Sequence, residues 1–135
     1  MQGAHALFFP HGVGHLLGLD VHDMENFGDR AAYAEGRVRS TQFGTGYLRM
    51  DMDLAPNMVV TIEPGFYICP AIFSDPTLHS TFKNVVNWNV LEHWNDFGGI
   101  RIEDDIRCTP DAPENLSEMI PKQIEEITTL VGSFH

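Results

Sequence analysis

The chain has 135 residues, 43% of them hydrophobic and 10% aromatic, with 8 basic against 19 acidic side chains and a formal net charge of -11. That length and apolar content suit one folded domain with its own core and exclude a disordered polymer. So acidic a balance also excludes recognition of a phosphate backbone, which rests on clustered Lys and Arg, and nucleic acid is not an expected partner.

In chain order, Ala4 to Phe9 is apolar and reads either as an extended run or as the end of a helix, closed by Pro10. His11-Gly-Val-Gly-His15-Leu-Leu-Gly-Leu-Asp-Val-His22-Asp23 follows, with glycines where the backbone needs unusual angles or close approach. That motif belongs on a turn and the strand leaving it. Glu25 to Asp53 is charged, Gly-rich and weakly periodic, a long surface excursion with room for one hairpin. Met58 to Ile68 reads as a buried strand, punctuated by Asn57 before it and interrupted by Pro64-Gly65 just after Glu63. Between Ser74 and Asp96, the residues Phe82, Val85, Val86, Trp88, Val90, Leu91 and Trp94 are spaced for a short helix packed on the sheet. Ile100 to Cys108 alternates as a second central strand. Pro121 to Val131 carries a helical start signal, with Ile124, Ile127, Leu130 and Val131 on one face.

Cys69 and Cys108 lack the spacing of a zinc knuckle or a disulfide framework and read as reduced thiols of a cytosolic protein. Met1 to Pro10 has no basic start and too short an apolar run for a secretion signal. No stretch approaches the roughly 20 apolar residues of a membrane span. A soluble, cytoplasmic protein with no membrane partner is expected.

The chemistry lies in three places. Val59-Val-Thr-Ile-Glu63 and Gly99-Ile-Arg101-Ile-Glu103 each set a carboxylate inside an apolar alternation. If Val60 and Ile62 face one hydrophobic layer, Glu63 faces the other side, where an unpaired carboxylate is costly to bury and a cation resolves the cost. A lone strand glutamate is ordinarily satisfied by a neighbour such as Arg101. Three such positions, counting the histidine motif, point instead to a shared site. Imidazole plus carboxylate suits manganese, cobalt, iron or zinc, and such ions activate water and polarise carbonyls. His11 and His22 can each be a ligand, an orienter of ligands or a proton shuttle, and spacing does not choose. His5, His79, His93 and His135 are assigned to surface or packing roles. In Glu103-Asp104-Asp105, a run that is by default a solvated face, alternation puts Glu103 and Asp105 on one side and Asp104 on the other.

The motifs His11-Gly-Val-Gly-His15, Leu19-Asp-Val-His22-Asp23, Thr61-Ile-Glu63-Pro-Gly65 and Gly99-Ile-Arg101-Ile-Glu103-Asp-Asp resemble those of the pita-bread metallopeptidases, most closely the Xaa-Pro dipeptidases. The resemblance runs from about Ala6 to about Val131. The long segment between the two glutamates, through Phe82-Lys-Asn and Val90-Leu-Glu to Phe97-Gly-Gly, favours a prolidase over aminopeptidase P. The resemblance implies an α+β fold: a curved, mainly antiparallel sheet backed by helices, half of a pita-bread domain. It implies metal ligation by His15, Glu63 and Glu103, with Glu103 bridging two ions, and a His11 that lines the active site. It implies a His22 that contacts substrate near the C-terminal proline, an Arg49 that binds the dipeptide carboxylate, and an Arg101 that orients the site. The implied reaction is hydrolysis of Xaa-Pro dipeptides with a divalent metal, Mn2+ first and Co2+, Zn2+ or Fe2+ as alternatives, a glutamate assisting proton transfer. An arginine fork rewards a free carboxylate and so a dipeptide over a longer peptide.

The family has two further aspartate ligands on an upstream strand pair and an additional N-terminal domain, whereas here the histidine motif begins ten residues after Met1. Residues 1–135 are therefore expected to be the C-terminal portion of a catalytic domain. Alone it is expected to bind at most one ion weakly, to show little or no peptidase activity, and to self-associate as a homodimer. The competing reading is a non-catalytic pita-bread module that binds a partner in the same cleft.

Overall fold

A computed structural model describes residues 3–132. Six short strands, β1 (Leu16–Leu17), β2 (Val59–Ile62), β3 (Gly65–Tyr67), β4 (Gly99–Arg101), β5 (Asp104–Arg107) and β6 (Glu114–Asn115), form the framework. The helices are α1 (Pro70–Phe73), α2 (Pro76–Phe82), α3 (Trp88–Leu91) and α4 (Ile124–Gly132). All strand pairings are antiparallel: a four-stranded sheet ordered β1-β2-β5-β6 and a two-stranded sheet β3-β4.

The two sheets share one register. Ile62 pairs with Asp104 and Gly65 with Arg101. Carrying the first pairing on by one residue sets Glu63 opposite Glu103, by two it sets Pro64 opposite Ile102, and the count meets Gly65 and Arg101 without a slip. Pro64 has no N–H to continue the ladder, so the chain breaks there. The partner strand breaks with it, and Ile102 donates its N–H to the Pro64 carbonyl at 3.2 Å. The expected single strand over Ile100 to Cys108 is thus two strands, divided by Ile102-Glu103 because of a proline on the opposite strand. The interruption after Glu63 falls where the sequence placed it.

Alternation sorts the four-stranded sheet into two faces. Leu16, Val60 and Ile106 are cross-strand neighbours on one face. Buried Leu16 and Val60 meet Ala32 there, with Met50, Met52, Met58, Ile106 and Cys108 packed around them. His15, Thr61 and Glu63 occupy the other face and are also buried. Ile62 does not join the layer that Val60 enters; it is exposed, because the sheet ends one residue later.

Ala32, Met50 and Met52 come from the excursion Glu25 to Asp53, so the long loop supplies core. It holds no hairpin, only the 3-10 turn Glu25–Phe27 and a parallel bridge between Tyr33 and Asp51. Side chains stitch it instead: Arg39 donates to the Gly46 and Leu48 carbonyls at 3.2 Å each, and Tyr33 donates its hydroxyl to Leu48 at 2.9 Å. Lacking the two-residue apolar alternation of a ladder, the segment satisfies its backbone through local turns, with arginine serving some of its carbonyls.

Ala4–Leu7 is a 3-10 turn, the helical of the two readings, with Ala6 and Leu7 fully buried. The region Ser74 to Asp96 folds as several short helices. α2 begins with Pro76 in its first turn and Asp75 capping the Thr77 and Leu78 amides at 2.7 and 3.0 Å. Beyond α3, Trp94 and Phe97 pack edge-on against Phe66 of β3, which stacks on Phe8 at 5.4 Å. The terminal helix begins at Ile124, and Ile124, Ile127, Leu130 and Val131 are exposed. Cys69 and Cys108 are free. Among the described residues no helix is long and apolar enough to cross a membrane.

Candidate metal centre

Three ladders converge on one cleft of about 940 Å³, lined by His11, His15, His22, Arg49, Glu63 and Arg101 among others. His15 sits where the glycine turn enters β1. The close approach needs Gly14: a Cβ there would lie 1.8 Å from the Thr61 carbonyl oxygen, so no other residue fits without moving β2. The Glu63 N–H donates to Val13 at 2.7 Å and holds turn and strand together.

His15 is 7% exposed. Its Nδ1 lies 3.0 Å from the Leu16 carbonyl, which can only accept, so Nδ1 carries the proton. Nε2 faces Glu63 Oε1 3.2 Å away, as one half of an ion pair if it is protonated or as a ligand atom if it is not. Two acceptors at that distance repel unless a proton or a metal ion stands between them. Fixing the tautomer by a bond from the other nitrogen to a carbonyl is how metal-binding imidazoles are oriented.

Glu63 is equally buried, and its two oxygens have different partners. Thr61 Oγ1 donates to Oε1 at 2.9 Å, and Arg101 Nη1 lies 3.2 Å from Oε2. Arg101 Nε also reaches Glu103 Oε2 at 3.3 Å. The register that sets Glu63 opposite Glu103 would be destabilising for two bare carboxylates. One guanidinium holds them partly neutralised. Donor atoms of His15, Glu63 and Glu103 all lie within 4.8 Å of one another, a mixed nitrogen and oxygen set that suits a divalent transition metal.

His22 packs edge-on against His15, ring centroids 4.5 Å apart, and its Nδ1 is 3.3 Å from Glu25 Oε2. Loss of hydration first, then the nearby Arg49 and His15, lowers its pKa below the usual 6.5, against the opposing pull of Glu25 and Glu63. Arg49 lines the cleft and is ion-paired to the other oxygen of Glu25. His11 donates from Nδ1 to the Gly12 carbonyl at 2.8 Å, and its Nε2 is hydrogen-bonded to the Tyr67 hydroxyl at 3.0 Å.

The structure thus gathers His15, Glu63 and Glu103, sets Arg101 across both carboxylates, and leaves His11, His22 and Arg49 on the cleft wall. Asp105 is outside the three-donor group. Asp104 is not a solvated charge. Ser117, Asn115 and Lys122 all bind its Oδ1, at 2.6, 3.0 and 2.9 Å. The Ser117 hydroxyl and then Lys122 hold its carboxyl down at about 2. His79 stacks on Trp88, His93 bonds the Asn89 carbonyl, and both are exposed, as is His5. His135 lies outside the described residues. Sequence reasoning did not single out Thr61, Tyr67 or Glu25. Thr61 stands two places before Glu63 and Glu25 three after His22, spacings that could have found them; nothing marks Tyr67.

An imidazole and two carboxylates, gathered beside a glycine turn, form a donor set that could hold a divalent ion. The chain belongs to metallopeptidase family M24, whose family model matches residues 2–110. It is 46% identical over 122 residues to the Xaa-Pro dipeptidase of Xanthomonas campestris pv. campestris (strain B100), covering 87% of this chain and 26% of that relative. To the Xaa-Pro dipeptidase of Stenotrophomonas maltophilia (strain R551-3) it is 41% identical over 118 residues, with the same coverage. Among solved structures, E. coli aminopeptidase P with the inhibitor Pro-Leu matches with a TM-score of 0.56 at 33% identity, over 98% of this chain and 22% of that one. The chain spans about a quarter of the length of the curated relatives it matches. The fold is α+β, half of a pita-bread domain.

Proposed function

We propose that residues 1–135 are the C-terminal portion of a catalytic domain that hydrolyses Xaa-Pro dipeptides with a divalent metal, manganese first and cobalt, zinc or iron as alternatives. The observation that carries this reading is the approach of His15 Nε2 to a Glu63 oxygen at 3.2 Å, with a Glu103 oxygen in the same cluster. Relatives called dipeptidases, at 41 to 46% identity, favour that substrate over the one of aminopeptidase P.

His15, Glu63 and Glu103 would hold the ion. When bound, it supplies polarisation of the scissile carbonyl and activation of water near neutral pH. Glu63, held by Thr61 and Arg101, takes the proton from the attacking water. His11 lines the pocket for the substrate, its ring fixed by Tyr67. His22, whose surroundings favour its uncharged form, contacts the substrate near proline. Arg49 pairs with the dipeptide carboxylate, a contact that Glu25 makes in its place here. The two free cysteines agree with a cytoplasmic setting.

With one three-donor group among the described residues, the isolated chain binds a single ion weakly and turns over Gly-Pro slowly or not at all. Titration with Mn2+ tests this: micromolar to millimolar binding, weakened about tenfold or more in Glu103→Gln, is expected. Absence of binding, or equal binding by the variant, would overturn the metal assignment. Brisk manganese-dependent cleavage of Gly-Pro would overturn the claim of incompetence.

A further inference from the structure

We propose that Thr61 is a positioning residue of the metal centre, whose hydroxyl locks the turn bearing His15 to the strand bearing Glu63. The inference rests on reading His15 and Glu63 as metal donors.

Thr61 is 1% exposed and faces the cleft side of the sheet, two residues before Glu63. Extending the β1–β2 register by one residue pairs it with His15. An antiparallel pair of this kind exchanges two backbone bonds. Here one is made, from the Thr61 N–H to the His15 carbonyl at 2.9 Å. The reciprocal bond is replaced: the His15 N–H donates to Thr61 Oγ1 at 3.0 Å. The Thr61 carbonyl is drawn instead against the glycine turn, where only the missing Cβ of Gly14 leaves it room. A side chain has taken over a ladder position at the residue that enters the metal group.

The hydroxyl then works in both directions. A threonine hydroxyl has one proton and two lone pairs. A lone pair takes the His15 N–H, and the proton goes to Glu63 Oε1 at 2.9 Å. That oxygen is also the one 3.2 Å from His15 Nε2. One atom therefore sets the backbone of the imidazole donor and the rotamer of the carboxylate donor. Valine has the same branched shape and suits a strand as well, but it would leave a buried N–H and a buried carboxylate oxygen without this partner.

The test compares wild type, Thr61→Val, Thr61→Ala and Thr61→Ser in the 135-residue chain. Co2+ affinity is read from its visible absorption, and His15 amide hydrogen exchange is read without metal. Thr61→Val lowers Co2+ affinity by about 10- to 100-fold and speeds His15 exchange by about tenfold, while Thr61→Ser stays near wild type in both. Should the valine variant not fold, the alanine variant carries the same expectation. Wild-type Co2+ affinity and wild-type His15 protection in a folded Val or Ala variant would overturn the proposal. Slower folding or a lower melting temperature with unchanged Co2+ affinity would make Thr61 merely structural and overturn it too. Failure of the wild-type chain to bind Co2+ overturns the metal reading instead, and the metal-free exchange then decides separately whether Thr61 holds the turn.

Discussion

At His22 the acid strength of one ring records the crowding of the cleft. Partial burial, Arg49 and His15 all penalise its charged form, and together they outweigh Glu25 and Glu63. The folded state therefore takes up a proton less readily than the unfolded chain, whose His titrates near 6.5. Stability from this group is present above 6.5 and declines as pH falls through that value, because there the unfolded state binds more protons. Removing the Arg49 charge should raise the His22 midpoint toward 6.5, and NMR titration of the His22 ring in Arg49→Ala reads it directly. An unchanged or lower midpoint would show that Arg49 does not act on His22. Glu63 and Glu103 were legible at this scale because charge inside an apolar alternation is conspicuous, and His15 because it sits in a histidine motif set among glycines. Thr61 was not, since threonine is an ordinary strand residue and only its hydrogen bonds distinguish it.

The break in both strands beside Glu63 and Glu103 belongs to the elements. Pro64 was readable as an interruption of its own strand. Its effect on Ile100 to Cys108 was not, because that stretch contains no proline and reads as unbroken alternation. The loop Glu25 to Asp53 was legible as an excursion, but not as a contributor to the core, since Ala32, Met50 and Met52 show no period. The glycine turn is the element most open to test. Gly14→Ala drives a methyl into the Thr61 backbone carbonyl, which cannot swing aside, and should cost about 3 kcal/mol. At Gly12 the nearest atom is the Leu48 side-chain tip at 3.1 Å, which can swing aside, so Gly12→Ala should cost well under half as much. Urea unfolding of the two variants measures both. Equal losses would mean that the Gly14 contact does not govern the turn.

Over the whole molecule the accessible surface is 9828 Å² for a chain of 15.2 kDa. A compact monomer of that mass exposes about 7,100 Å², so roughly 2,700 Å² of surface is in excess, the area of a substantial interface. Much of what is exposed is apolar: Met119 is 92% exposed, Ile124 75%, and Ile100, Ile102 and Ile120 are also open to water. A helix with an apolar stripe was expected near the C-terminus, but the sequence did not show that the stripe would be left facing solvent. Hydrophobic area of this size drives association, while a net charge of -11 on each chain opposes it. The opposition is electrostatic and screened, with a Debye length of about 30 Å at about 0.01 M salt and about 8 Å at about 0.15 M. Self-association should therefore strengthen as salt is added, the reverse of a contact held by ion pairs. Sedimentation should show a mass rising above 15.2 kDa with concentration, more steeply at the higher salt, and Ile124→Asp together with Ile127→Asp should reduce the rise. A single 15.2 kDa species across the concentration range at both salts would mean that the exposed face does not bind a second copy.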